Sequence, residues 1–458
     1  MWLKREKRKT VIDLTEGPIM KGMVSFAVPL FLGQLLQQFY SMADAWVVGN
    51  FADNDAFAAV SSAGSIIFLI TGFFNGIGIG GGVIISRYVG AKNEEYIKRS
   101  IHTNFLFGLL ASVLSTIVGM LLVPKILVWM KVPASVLPDS KAYFGIYFAG
   151  VSTVIMYNIC MSILRALGDS VRPLYYLAIS SIVNVVLDLL FVAVFRWGVA
   201  GAAIATVISQ GISALLCIVQ MCRRKDEITR LQLREIKWHG NIMLEVIRQG
   251  LPTGIQNSVI SIGNIVVQTN INSFGAFAMS GHGAYARIEG FVFLPIMSMS
   301  MTLPTFISQN LGAKKAERAK RGAFFGITFG MLMAEAVGVL CYFGSEYALR
   351  IFVDTPEAIL FGRTQAKVVS LFFFLLAFSH CAAGVLRGCG KAIVPMITML
   401  AFWCGVRILY VTQAIKIFPQ YQTICWAYPL TWTLSSIVFL VFLLKSDWTN
   451  AWERQKNR

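Results

Sequence analysis

Charge is what this chain has least of. Only 14% of its 458 residues are Asp, Glu, Lys or Arg, and the acids number 23. A soluble domain of ordinary composition is about one quarter charged, and a soluble chain of this length would divide into domains. Histidine is scarcer still, with four residues, and the eight cysteines include no CxxC pair. Zinc-ribbon, redox and disulfide-framework readings lose their ligands on that count, so the cysteines read as small apolar packing residues. No His–acid motif marks an interface, which leaves a membrane-bound transferase without equipment. No filter-like repeat in short re-entrant segments supports a channel. The chain is not read as an enzyme, and no cofactor is expected.

What is present is apolar sequence, 56% of the chain, gathered into runs of about 20 residues that are long enough to cross roughly 30 Å of hydrocarbon. Twelve spans are expected, at 20–48, 56–85, 99–123, 140–164, 173–195, 198–222, 244–272, 280–308, 320–343, 366–386, 393–417 and 422–444. The formal charge of +17 is not a nucleic-acid footprint, because no basic patch is interleaved with stacking aromatics. About 30 of the 40 Lys and Arg fall on alternate connections and the two tails, which is the bias that orients a multi-pass chain with those sides inward. Both termini are therefore expected in the cytoplasm and the chain in the plasma (inner) membrane. The basic start, Lys4 to Lys9, is followed by a stretch too long for a signal-peptide core and without a small-residue cleavage pattern.

The chain repeats itself. Pro29 in span 1 is answered by Pro252 in span 7, 223 residues on. Val89-Gly90-Ala91-Lys92 is answered by Leu311-Gly312-Ala313-Lys314, and Arg165-Ala166-Leu167-Gly168 through Pro173 by Arg387-Gly388-Cys389-Gly390 through Pro395, both 222 on. Six spans per half is an even number, so both halves enter from the same side and the repeat is parallel. The expected fold is an all-α membrane protein of twelve helices in two six-helix bundles, related by a pseudo-two-fold along the membrane normal. Residues 1–19 form a cytoplasmic tail, 20–222 the N-terminal lobe, 223–243 a basic cytoplasmic linker, 244–445 the C-terminal lobe and 446–458 a second tail, with a central cleft for substrate.

Gly76-Ile77-Gly78-Ile79-Gly80-Gly81 matches the dinucleotide fingerprint only formally. It lies inside an apolar span with no strand before it, and close helix approach explains it better, as it does Gly250-xxx-Gly254, Gly326-xxx-Gly330 and Gly384-xxx-Gly388.

Acids inside spans carry more information. A carboxylate at mid-bilayer costs at least about 2.5–3.5 kcal/mol on insertion scales, so it usually faces a cavity and has a task. Asp44 shares a helix face with Gln37 and Tyr40, Asp188 follows Asn184 by one turn, and Thr206 precedes Gln210 by one turn. Converging, these stripes would form an oxygen-rich pocket with two carboxylates, suited to Na⁺ or H⁺; a structural hydrogen-bond network at helix crossings is the plain alternative. At the repeat shift Asp44 maps to Val267 or its neighbour, and Asp188 to Tyr410 or Val411. A purely architectural need would have placed acids in both halves, so the asymmetry favours a coupling site in the first. The pocket could also draw on Gln34 and Asn158 as lining for a substrate.

The second half has its own polar residues: Asn264 and Gln268, Arg287 and Glu289, Glu335, His380 and Arg407. Arg407 pairing with Glu335 or Glu289 is a plausible structural bridge, and a lone interior histidine is more often satisfied than a proton relay. Met297 and Met301 could line an adaptable apolar cavity.

Together these residues resemble the multidrug and toxic compound extrusion (MATE) family, in its prokaryotic form. The resemblance covers about residues 15–445. It rests on Pro29 with Gln37-Gln38-Phe39-Tyr40-Ser41-Met42-Ala43-Asp44 and Val48-Gly49, on Ser86-Arg87-Tyr88-Val89-Gly90-Ala91-Lys92, on Arg165-Ala166-Leu167-Gly168-Asp169-Ser170 with Arg172-Pro173, on Asn184 with Asp188, and on Gly201-Ala202-Ala203 leading to Thr206. It implies export of amphipathic, often cationic, drugs or toxic compounds in exchange for Na⁺ or H⁺ by alternating access. It further implies a cation site at Gln37, Tyr40, Asp44, Asn184, Asp188 and Thr206, a bend at Pro29, and function as a monomer. Some sodium-driven members carry further acids in spans 7 and 10, where this chain has Asn264, Gln268 and His380. The alternative within the wider group is a flippase for lipid-linked glycans, which needs several Arg and Lys in its cleft; only Arg287 and Arg407 lie inside spans here.

Overall fold

A bilayer offers no hydrogen bonds to backbone amides, so each crossing segment closes its own ladder as a helix. The structure, a computed structural model, describes residues 11–51, 54–129 and 136–450. Among the described residues twelve long helices follow one another: α1 Ile19–Phe51, α2 Asn54–Gly90, α3 Glu94–Trp129, α4 Leu137–Ala166, α5 Val171–Val194, α6 Gly198–Cys222, α7 Gly240–Asn272, α8 Ala276–Gly312, α9 Ala316–Leu349, α10 Pro356–Gly388, α11 Ile393–Ile417 and α12 Tyr421–Lys445. Eleven are long and apolar enough to cross a membrane. The remaining helix, α7, has the length, but Gln249, Thr253, Gln256, Asn257, Asn264 and Gln268 dilute its apolar character. The tenth span starts ten residues earlier than hydropathy places it, because the helix continues through Glu357, Arg363 and Lys367, and only apolar content, not helicity, ends there.

The repeat is visible in the backbone. Lys92 and Lys314 both take positive φ, 52° and 57°, and Gly168 and Gly390 do the same at 84° and 88°. Each pair closes its helix with the same bonds: Lys92 N–H to Val89 O and Asn93 N–H to Tyr88 O, against Lys314 N–H to Leu311 O and Lys315 N–H to Asn310 O. These are left-handed helix caps, which satisfy carbonyls that would otherwise be orphaned.

The chain forms two compact units. One comprises Leu32–Gly254 with the segment up to Asp13; the other comprises Leu14–Phe31 and Ile255 onward. The division falls inside α1 and α7, in each case two residues after a proline, Pro29 or Pro252. In the first unit α4 is central, packed by α2, α3 and α6; in the second α8 holds that place, packed by α9 and α10. The N-terminal segment is also anchored. Ile12 N–H donates to Gly168 O at 2.9 Å, while Arg318 donates to the carbonyls of Leu14, Glu16 and Gly17.

The glycine-rich run in α2 is a crossing point. A Cβ on Gly76 would stand 2.5 Å from Gly254 N, and one on Gly254 would stand 2.8 Å from Phe73 O; Gly80 meets Gly250 in the same way one turn on. Glycines at i and i+4 on each helix let α2 and the start of α7 touch backbone to backbone. Gly384 and Gly388 likewise lie against the carbonyls of Ser300 and Pro304. Gly250→Leu must push two backbones apart, at a cost of about 1–3 kcal/mol or more. The purified protein should melt several degrees lower. Gly145→Ala, where a Cβ meets nothing within 4 Å, should melt with the unsubstituted protein.

Candidate functional site

The first unit gathers its interior polar groups at one place. Asn184 and Asp188, one turn apart on α5, are both 0% exposed. Asp44 on α1 lies beside Asp188, close enough for the two carboxyls to interact directly. The Tyr40 hydroxyl lies against Thr206 of α6 and within electrostatic reach of both acids. From α4, Tyr143 faces the same two acids, and Tyr147 stacks on it at 6.5 Å between ring centroids. Behind the acids, Val47 and Val48 of α1, Val192 of α5 and Ala202 of α6 make a small buried apolar cluster that holds the three helices together.

The polar atoms are poorly satisfied. Asp44 Oδ1, both carboxyl oxygens of Asp188 and both amide atoms of Asn184 are buried without a hydrogen-bond partner. Buried polar atoms nearly always have one, and an unsatisfied charged group costs more than a neutral one. Four unbonded oxygens around two neighbouring acids form a seat for a small positive ion: a proton would join the carboxyls, and a hard cation would be ringed by oxygen, the ligand such ions prefer. The donor set therefore fits Na⁺ or H⁺, with Asp44, Asp188 and Asn184 as the groups to hold it.

Local helix geometry contributes. Immediately after Asp188, α5 widens into a π-helical turn, Leu189–Val194, in which Phe195 N–H reaches back five residues to Leu190 O at 2.9 Å. Such turns are rare and frequently accompany functional sites.

The sequence-expected residues distribute unevenly. Asp44, Asp188, Asn184, Tyr40 and Thr206 come together. Gln37 is exposed, and Gln34 and Gln210 are half-buried. Asn158 is buried, but its amide nitrogen donates to Val154 O on its own helix at 2.8 Å. Tyr143, Tyr147 and Thr71, whose hydroxyl lies 3.5 Å from that of Tyr147, were not foreseen; two tyrosines four apart in an apolar helix were the available signal.

In the second unit Arg407 does not make the expected bridge. Among the described residues it forms no ion pair; it donates to Asn264 Oδ1 at 3.2 Å and Thr431 Oγ1 at 2.9 Å. Glu335 Oε2 instead accepts the Phe374 N–H at 3.2 Å. Glu289 is half-buried and within electrostatic reach of Arg407. His380 is buried against Phe293 and Trp403. Gln268 is occupied with Asn272 at 2.8 Å, and Arg287 is exposed with its guanidinium over Phe352. Met301 is buried and Met297 half-buried on α8.

Comparison with known proteins gives the family and the fold. The MatE family model matches the chain twice, over residues 29–190 and 252–411, once per repeat. The chain belongs to the MatE family of multidrug and toxic compound extrusion transporters. It is similar to the probable multidrug resistance protein YpnP of Bacillus subtilis, 28% identical over 85% of this chain and 87% of that protein. It is also similar to the multidrug export protein MepA of Staphylococcus saprophyticus, 24% identical over 95% of this chain and 96% of that one. Among solved structures, an outward-facing multidrug resistance MATE transporter of the MOP superfamily shares the fold with a TM-score of 0.89, at 20% identity, over 96% of this chain and 98% of that chain.

Asp188→Asn removes one of two neighbouring acids that lack hydrogen-bond partners. In ion-poor buffer near neutral pH the variant should melt higher than the parent, by a margin worth about 1–3 kcal/mol. An unchanged or lower Tm would mean that the carboxyls are already satisfied.

Proposed function

We propose that this transporter exports small amphipathic, often cationic, compounds across the plasma (inner) membrane in exchange for Na⁺ or H⁺ that binds at Asp44 and Asp188. The observation that carries the reading is the set of buried, unbonded oxygens on Asp44, Asp188 and Asn184, in a repeat whose other copy has Val267 and Tyr410 at the corresponding acid positions. Tyr40 and Thr206 complete the coupling site, and Gln37 extends it along α1.

A positive ion removes the cost of two neighbouring charges, and the site can then repack. Pro29 is the natural place for that change to become a bend. A proline removes one helix hydrogen bond and crowds the carbonyl four residues before it, here Ser25. The chain also passes from one compact unit to the other two residues later. Cation and compound would compete through this bend in an alternating-access cycle.

The driving force can be bounded. One charge moving down 100 mV releases about 2.3 kcal/mol, and about 1.4 kcal/mol is a factor of ten, so a single uncompensated charge sustains roughly a fortyfold gradient. Exchange of one cation for one singly charged compound moves no net charge, and the ion's own concentration gradient must then supply the work. A glycan-lipid flippase would need several Arg and Lys lining its cleft; of the arginines buried within helices, Arg87 and Arg387 lie in the last turns of α2 and α10, and only Arg407 lies well inside a span. The Lys and Arg distribution supports cytoplasmic termini, and the reading is of a monomer with lobes at residues 20–222 and 244–445, the first helix of each beginning in the other compact unit.

The test is ethidium uptake into energised inverted vesicles, where export runs inward, with the sodium and proton gradients collapsed separately. Asp44→Asn and Asp188→Asn should each lower gradient-driven transport at least tenfold with surface expression unchanged. Full transport in both variants would refute the coupling role.

A further inference from the structure

The second unit buries a guanidinium that forms no ion pair among the described residues. Arg407 is 2% exposed. Two of its nitrogens are committed, to Asn264 and Thr431, and its plane lies over Tyr428 at 4.7 Å and Trp403 at 5.6 Å. Its Nε is buried with no hydrogen-bond partner. The Trp403 ring that borders it also meets His380, with 5.2 Å between ring centroids, and His380 Nε2 is likewise buried and unbonded. Seven residues further along α10, Arg387 is 6% exposed, lies within electrostatic reach of His380 and has an unbonded Nε of its own.

These unsatisfied atoms have the opposite character to those of the first unit. There the carboxyl groups offer lone pairs; here the arginine nitrogens, and His380 in the tautomer with a proton on Nε2, offer N–H donors. A planar guanidinium with a free N–H between aromatic faces is suited to a carboxylate, the group it recognises by charge and shape together. Local backbone geometry aims the residues: Trp403 lies within a second π-helical turn, Leu400–Val406, and Arg407 follows directly after it.

We propose that the surroundings of Trp403 in the second unit form a binding site for the carboxylate of planar aromatic compounds. Arg407 takes the anionic group, with His380 as a second donor, and the aromatic body lies among Trp403, Phe293 and Tyr428. The site would admit zwitterionic or anionic amphiphiles as cargo beside cationic ones. Glu289, within electrostatic reach of Arg407, opposes an incoming anion. This assignment rests on the transporter reading only in calling the bound compound cargo.

The test is equilibrium binding by calorimetry to the full chain in lipid nanodiscs, without any ion gradient, so that its outcome is separate from that of the coupling experiment. The probes are 1-naphthoate and its uncharged counterpart 1-naphthamide. Naphthoate should bind at least tenfold more tightly than naphthamide. Arg407→Gln should weaken naphthoate at least tenfold with little effect on naphthamide, and Glu289→Gln should strengthen naphthoate severalfold. Equal binding of the two probes, no naphthoate binding, or undiminished naphthoate binding by Arg407→Gln would overturn the proposal. Should Arg407→Gln elute aggregated from size exclusion, Glu289→Gln decides: tighter naphthoate binding upholds the site, and unchanged or weaker binding overturns it.

Discussion

The cost of leaving a polar atom unbonded inside an apolar bundle governs what this protein can do. Backbone groups avoid that cost by forming helices, and glycines at α2 and α7 let two of those helices meet without side chains between them. The side chains of Ser300, Thr302 and Thr431 avoid it by bonding carbonyls. Asp44 Oδ1, both carboxyl oxygens of Asp188, Arg407 Nε and His380 Nε2 are buried without such a bond. Buried hydroxyls of Ser100, Ser140 and Ser170 also lack a partner, but leaving a charged group unbonded costs more than leaving a hydroxyl, so the acids and the arginine are the groups with most to gain from a ligand.

The two repeats show what duplication keeps and what it lets go. The caps persist to the hydrogen bond, with Lys92 and Lys314 in the same left-handed conformation, because a helix end has few ways to close. The interior chemistry has diverged. Arg407 corresponds to Val185 and Asp188 to Tyr410, residues with no shared role. The π-helical turns have moved as well: one follows Asp188 and the other precedes Arg407. In both units, however, the widened turn adjoins the charged residue, where an extra residue in the helix resets the direction in which the neighbouring side chain points.

Much of this was legible in the sequence. Apolar runs give the helices because length and hydropathy are the bilayer's own criteria, and a constant offset gives the repeat. The acids were conspicuous because an apolar span offers few reasons to keep one. Other features left little trace. Tyr143 and Tyr147 look like ordinary membrane aromatics until α4 is placed against α1. Leu189–Val194 is six apolar residues with nothing to mark a π turn. Arg407 invited a carboxylate partner, and the sequence offered Glu335 and Glu289. Its actual partners are an amide, a hydroxyl and two rings, a choice that depends on helix rotation, which hydrophobic pattern fixes only coarsely.

The placement of Pro29 and Pro252 ties these strands together. Each proline deprives the carbonyl four residues before it, of Ser25 or Arg248, of its usual amide partner, and so softens the helix at that point. In both copies the helix passes between compact units within two residues of the soft point. Beyond it, each helix carries a polar group of its unit: Asp44 on α1, beside Asp188, and Asn264 on α7, bonded to Arg407. On the proposed reading, a change of charge at Asp44, or in what Arg407 holds, would act on a helix segment whose other end belongs to the opposite unit. Duplication supplied two such levers, and divergence gave one an acid and the other a hold on an arginine. The acid and the arginine do not occupy equivalent positions of the repeat, but each bears on the proline-containing helix of its own unit, so an ion and a cargo group of opposite sign would act on equivalent bends.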